Sequence, residues 1–385
     1  MSVLRKMLFV GPYPPPYAGP ETAMKTLLES SQLTDRFDIK LLKTNVRTSN
    51  DEKGRFDLTL VKAFFVFVFS LINILIRFRP EVVYQFVTAT KMGWLGRDIW
   101  GIFIARMLGA KVIIHMRAGH FKHNYLSMHL VEKLPIKAAC RLVSLGIVQA
   151  DSLKDQLKGL IDDNQIRSVY NVIDTTKFSN QDLHDYDKFV FLFLGHLSSA
   201  KGYCDLLKAI PLVAEKYPDV CFWFGGTRIS EERNVFQNQL TGEALISEDP
   251  QYCYDKYIAG QNEKNYRHFG MVNEAKKIKL LKQCNALILP SYSEGFSMSV
   301  LEAMTIGKPV ICSPVGALGE VVKDGVNGYI VEPGDIGALA KAIEKVLKNE
   351  EERNRMAIHN YKETREKFSQ KIIGGQLAEL FQELI

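Results

Sequence analysis

Two glutamates, Glu294 and Glu302, stand with seven residues between them in the stretch SYSEGFSMSVLEAM, directly after the apolar run CNALILP. A carboxylate at the end of a buried strand is placed to accept hydrogen bonds from ligand hydroxyls, because ligands of open parallel sheets bind beyond the carboxyl ends of the strands. Gly295 beside it lets the backbone pass close to a ligand. SMSVLEAM then reads as the start of a helix, whose first N–H groups and dipole favour an anion, phosphate above all. A separation of eight residues is a little over two helical turns, so the two carboxylates are expected to share a face without meeting at a point. They do not form a shared-proton dyad. A ligand bridging them is extended, as a nucleotide-sugar is, with sugar hydroxyls at one end, ribose hydroxyls in the middle and a diphosphate against the helix start.

Two further stretches carry chemistry. In FLGHLSSAKG, Lys201 and the following glycine open a helix after a strand end, where a phosphate would lie, with His196 earlier in the same loop. KVIIHMRAGHF is a strand followed by His115, Arg117 and His120, and a histidine at a strand end is either a site residue or merely structural.

The elements that must position these residues alternate. KMLFVG, DIKLLKTN, EVVYQFV, KVIIHM and LGIVQA read as buried strands of a first half. KFVFLFLG, VCFWFGG, NALILP, KPVICS and NGYIVE read as those of a second half. Amphipathic stretches lie between them. This alternation predicts an α/β chain of two doubly wound, Rossmann-like parallel-sheet domains. The polar stretch NVIDTTKFSNQDLHDYDKF marks the boundary. The expected domains are 1–175, 176–368, and a final helix at 369–385 packing back toward the first domain. AFFVFVFSLINILI, Ala63–Ile76, is apolar but only 14 residues long, so a buried helix is expected rather than a membrane span. Thr227–Tyr266 shows little periodicity and reads as an elaborated loop at the top edge of the second domain.

The chain has 385 residues, 46% hydrophobic and 24% charged, which suits two soluble domains. Six scattered cysteines, without a C-x-x-C pair or a histidine cluster, argue against a disulfide framework or a zinc site and point to a reducing, cytoplasmic setting. No signal peptide is visible in MSVLRKMLFVGPYPPP. Residues 1–175 carry 24 lysines and arginines against 15 acids, and the remainder 25 against 28. The basic half points to an anionic partner: nucleic acid, a phosphorylated substrate or a membrane surface.

EGFSMSVLE resembles the E-x7-E motif of glycosyltransferase family 4, retaining enzymes with two Rossmann-like domains facing across a cleft (the GT-B fold). The resemblance extends over nearly the full chain. LPSYSEGFSMSVLEAMTIGKPVICSPVGALGEVVKDGVNGYIVEPGD is similar to the longest recognisable block of that family, FLGHLSSAKG to its diphosphate loop and GPYPPPYAGPET to its first glycine loop. The resemblance implies that Glu294 orients the transferred sugar, that Gly295, Phe296 and Ser297 bind donor, and that Glu302 holds the ribose. It implies that Lys201 faces the diphosphate, that Gly19 lets the first loop approach it, and that His115 lies near the reacting carbon, with His120 as runner-up. His196 stands where the family often has arginine, and AGPE keeps one of two usual glycines. The implied partners are a nucleotide-sugar donor and a glycan or lipid-linked acceptor, with peripheral contact to an anionic membrane and no nucleic acid.

Retaining transfer without an evident nucleophile implies front-side attack and no metal or other cofactor. DYD, Asp185–Asp187, fits a metal-binding D-x-D string but lies in the linker before the second domain's first strand, so it is read as a decoy. A nicotinamide dehydrogenase is disfavoured because no G-x-G-x-x-G follows KMLFVG. A nucleotide-sugar epimerase of the same two-domain plan, or a silent nucleotide-binding subunit, stays open.

Overall fold

The computed structural model describes residues 4–45, 58–178, 188–229 and 237–385. Contacts divide the chain into two units: Met1–Val172 with Phe368–Ile385, and Ile173–Lys367.

The first unit is built on strands β1 (Arg5–Gly11), β2 (Phe37–Lys43), β3 (Val82–Val87), β4 (Lys111–Met116), β5 (Leu145–Val148) and β6 (Ile166–Ser168). They form one parallel sheet in the order β2-β1-β3-β4-β5-β6. All six residues of β3 are buried, as expected of a strand covered on both faces. The short edge strand β6 was not anticipated, because three residues carry no periodic signal. The helix Gln370–Leu384 closes this core: Ile373, Leu377 and Phe381 pack with Met7, Phe9 and Tyr84. Gly374 permits the contact, since a Cβ there would lie 2.2 Å from the Ser30 hydroxyl.

The second unit holds β7 (Val190–Leu194), β8 (Cys221–Gly225), β9 (Tyr266–His268), β10 (Ala286–Leu289), β11 (Val310–Cys312) and β12 (Gly328–Ile330). Its parallel order is β12-β11-β10-β7-β8-β9. The chain runs outward from β7 through β8 to β9, then returns to place β10 on the other side of β7. The crevice between β7 and β10 is therefore the topological switch point, where such sheets bind ligands.

Two expectations are corrected. The apolar stretch at Ala63–Ile76 belongs to a helix of 21 residues, Leu58–Phe78, and it is not buried: only 22% of Val61–Phe78 lies inside the protein. Its one inward stripe is Phe67, Leu71, Leu75 and Phe78. Length and composition alone would let this helix cross a membrane. The segment Thr227–Tyr266 is not merely a loop. Residues 230–236 are outside the described set, but Pro250–Tyr257 is a helix capped by the Asp249 side chain, and Tyr266 begins β9. The helix was missed because it spans only two turns and its buried residues do not form a periodic apolar stripe.

Candidate functional site

The loops after β7 and β10 are joined by their backbones. Gly202 adopts the left-handed conformation with φ of 70°, and a Cβ there would come within 2.1 Å of the Pro290 carbonyl oxygen. The Tyr292 N–H donates to the Ala200 carbonyl at 2.9 Å. This approach brings Lys201 to Glu294: the ammonium donates to Glu294 Oε1 at 2.7 Å, and the Ser291 hydroxyl donates to the same oxygen at 2.8 Å. The Glu294 N–H donates to Gln239 Oε1 at 3.0 Å. The Glu294 side chain is 9% exposed and that of Lys201 27%, so the ion pair is largely sheltered but open at the lysine end. Gly316, with φ of 58°, lies under the loop: a Cβ would sit 2.4 Å from the carbonyl oxygens of Glu294 and Gly295.

Glu302 lies in the helix Met298–Thr305, but Glu294 precedes that helix. The shared helical face expected from an eight-residue spacing is therefore wrong in its cause; the loop geometry, not helical periodicity, sets the two carboxylates. Glu302 is 2% exposed and pairs through Oε1 with Lys277 of the helix Glu274–Gln283. Its second oxygen, Oε2, is buried and without a hydrogen-bond partner among the described residues. Buried acceptors are rarely left so, and an orphaned carboxylate oxygen at this position is suited to a ligand hydroxyl.

Phe296 and Ser297 are buried beside half-buried Gly295. Ser297 occupies the N-cap of Met298–Thr305 and makes no side-chain cap, and Gly202 likewise precedes Tyr203–Ala214 without one. Two helix N-termini thus start from the two loops that meet at the switch point, an arrangement favourable to a diphosphate. His196 is exposed in the loop after β7.

In the first unit Gly19 begins the helix Gly19–Leu28, after the loop that follows β1. His115 does not follow its strand; it lies within β4 and is 1% exposed. Its Nδ1 shares a hydrogen bond of 2.6 Å with the Tyr84 hydroxyl, and Nε2 is buried without a partner among the described residues. Burial, and then the nearby Arg117 guanidinium, hold the imidazole well below its ordinary 6.5, so it is neutral at pH 7. Arg117 itself is pulled down to about 10 by burial, with Tyr84 and Glu21 acting against that; it remains charged, donates to Asn171 Oδ1 and lies over the Phe86 ring. His120 is half-buried, just beyond the strand end.

A linkage effect follows. The unfolded chain binds a proton at this histidine near pH 6.5 and the folded chain only at much lower pH, so stability is full above 6.5 and lost as pH falls below it. Urea titrations between pH 7.5 and 5 should show a decline of up to about 1.4 kcal/mol per pH unit from this group. His115→Gln should flatten it, and an unchanged slope would contradict the assignment.

One trio with metal-ligand spacing occurs among the described residues, Cys204, Glu248 and Cys253, with ligand atoms within 4.8 Å of one another. Lys208 occupies the Glu248 carboxylate, and burial pushes both thiols up, toward the protonated form. The cluster therefore reads as packing between the segment around Glu248 and the helix Tyr203–Ala214. Asp185–Asp187 lies outside the described residues.

Sequence reasoning missed Lys277, Ser291 and Gln239. Ser291 was findable, as a hydroxyl three residues before a strand-end carboxylate. Lys277 and Gln239 were not, because each reaches the site from an element remote in sequence.

Residues 174–363 match the family model of glycosyl transferases group 1. They form a domain of that family. The chain carrying this glycosyltransferase domain is 23% identical over 327 residues to the capsular polysaccharide biosynthesis glycosyltransferase CapM of Staphylococcus aureus, covering 81% of this chain and 80% of that protein. Anabaena Alr3699/HepE, solved with UDP, superposes with a TM-score of 0.70 at 18% identity, covering 98% of this chain and all of that one. A sucrose-phosphate synthase from Thermosynechococcus elongatus gives 0.75 at 15% identity, with 99% of each chain covered. The fold is that of the GT-B glycosyltransferases.

Proposed function

We propose that this chain transfers a hexosyl or hexosaminyl unit from a UDP- or GDP-linked sugar to a glycan or lipid-linked glycan, with retention of anomeric configuration, in cell-surface polysaccharide biosynthesis. One observation carries the reading: the Lys201–Glu294 pair at the β7–β10 switch point, with the unsatisfied Glu302 oxygen in the helix that follows. The donor runs from Glu294 at its sugar to Glu302 at its ribose. Its diphosphate lies against Lys201 and the two helix starts, with His196 earlier in the loop after β7 as a further donor. HepE, solved with UDP and with UDP-glucose, and CapM, named for capsular polysaccharide, support the donor class and the setting.

In the step itself the bond from the anomeric carbon to the diphosphate oxygen breaks. The acceptor hydroxyl oxygen bonds that carbon on the same face, and its proton passes to the departing phosphate oxygen. Lys201 and the helix dipoles stabilise the charge on that diphosphate, so the reading calls on no metal. By the motif resemblance, uncharged His115 and Gly19 are the residues the first unit would contribute to the reaction. We place the enzyme at the cytoplasmic face of a membrane, held peripherally.

Glu302→Gln tests the reading. It retains the shape of the side chain but weakens a charge-assisted hydrogen bond to the ribose, so UDP affinity by calorimetry should fall about 10- to 100-fold. NMR of the product should show retained configuration. Unchanged UDP affinity would remove Glu302 from the ribose, and an inverted product would end the retaining assignment. Epimerisation of the donor with no acceptor present would favour the epimerase reading.

A further inference from the structure

The first unit leaves an apolar face uncovered. The helix Ile99–Met107 packs between Leu58–Phe78 and Leu130–Cys140 on one side of the sheet. On Leu58–Phe78 the outward residues Phe65, Val66 and Phe69 are 53%, 55% and 70% exposed. On Leu130–Cys140, Leu130, Val131 and Leu134 are likewise exposed. Between them Trp100 is exposed and meets Phe64 edge-on, with ring centroids 5.6 Å apart. A continuous apolar surface of this kind marks an interaction site.

Its charge selects the partner. The three helices carry Lys62, Arg77, Arg106, Lys133 and Lys137 against one acid, Glu132, and that carboxylate is already paired with Lys91. A second copy of the chain docking here by twofold symmetry would bring the same cations together. An anionic lipid surface satisfies both features, taking the apolar side chains into its interfacial layer and the cations among its headgroups. The helix lies along such a surface and does not cross it. Phe67, Leu71, Leu75 and Phe78 are committed to the unit's own core, and the ammonium groups of Lys6 and Lys40 lie 5.4 and 4.3 Å from the Phe78 ring centroid.

We infer that the layer formed by Leu58–Phe78, Ile99–Met107 and Leu130–Cys140 docks the first unit on an anionic membrane surface, inserting Phe65, Val66, Phe69 and Trp100. The surface gives the proposed lipid-linked acceptor its location and rests on that reading for its purpose, while docking itself is measured without transfer.

The full chain is sedimented with phosphatidylglycerol–phosphatidylcholine vesicles and with phosphatidylcholine alone. Binding is expected to the anionic vesicles, weakened by salt and released by alkaline carbonate. Trp100 is the one exposed tryptophan of three, so its emission should shift to the blue and be quenched by brominated lipid, with Trp100→Phe removing the response. Phe65→Ser with Phe69→Ser should lower partitioning at least tenfold, and Lys133→Glu with Lys137→Glu should lower it and its salt dependence. Circular dichroism confirms that each variant is folded. No binding to anionic vesicles, undiminished binding of the serine variant, or resistance to carbonate would overturn the inference. So would self-association abolished by the same serines without vesicle binding. Vesicle binding lost in the serine variant, with transfer to a lipid-linked acceptor unchanged, would uphold the docking face and sink its link to the acceptor.

Discussion

Glu294→Gln should fold, bind UDP about as well as the parent chain, and lose transfer by about 10²- to 10³-fold in kcat. The amide has nearly the same shape and can still accept a hydrogen bond from Ser291 Oγ. It removes the charge that fixes Lys201 and that the proposed function assigns to the sugar hydroxyls. Lys201 is engaged by Glu294, so donor binding must share that ammonium between the carboxylate and the diphosphate. Neutralising Glu294 leaves Lys201 free for the diphosphate, which is why nucleotide affinity should survive while orientation of the sugar does not. Steady-state kinetics beside calorimetry with UDP separates the two quantities. Parent-like kcat would remove Glu294 from the reaction.

Lys201→Met should cost about 10²- to 10³-fold in transfer and about tenfold in UDP affinity, because a charge aimed at the leaving diphosphate is lost. It should also destabilise the second unit. Glu294 is 9% exposed, and removing its cation leaves a sheltered carboxylate without its counter-ion. Fully buried pairs broken in this way cost several kcal/mol, and the partial exposure of Lys201 brings the expectation down to about 1–2 kcal/mol. Combining Lys201→Met with Glu294→Gln should return that stability without returning activity, since the uncompensated charge is gone and the catalytic groups are too. Urea titration of the three variants, with transfer assays on each, checks the pattern. A double variant no more stable than Lys201→Met would show that the pair is not coupled.

Ten of the twelve described strands, all but β6 and β9, were legible in the sequence alone, as were the positions of two candidate glutamates. Runs such as VFLFL and VVYQFV can only be satisfied between layers, because every residue in them is apolar or must be covered, and they alternate with helices of crossover length. Glu294, Gly295 and the helix start were legible because strand end, glycine and helix are consecutive in the chain. The tertiary structure decided what depends on pairing between distant segments. Strand order placed β10 beside β7 and so made a switch point of two loops some 90 residues apart, joining Lys201 to Glu294. Burial turned His115 inward to Tyr84 and kept it neutral, which a strand-end position in sequence does not reveal. The apolar helix was readable as apolar, but which side it buries is a property of the layer it joins. That layer covers four of its side chains and leaves Phe65, Val66 and Phe69 outside, because a helix apolar all round has only one face that a sheet can cover.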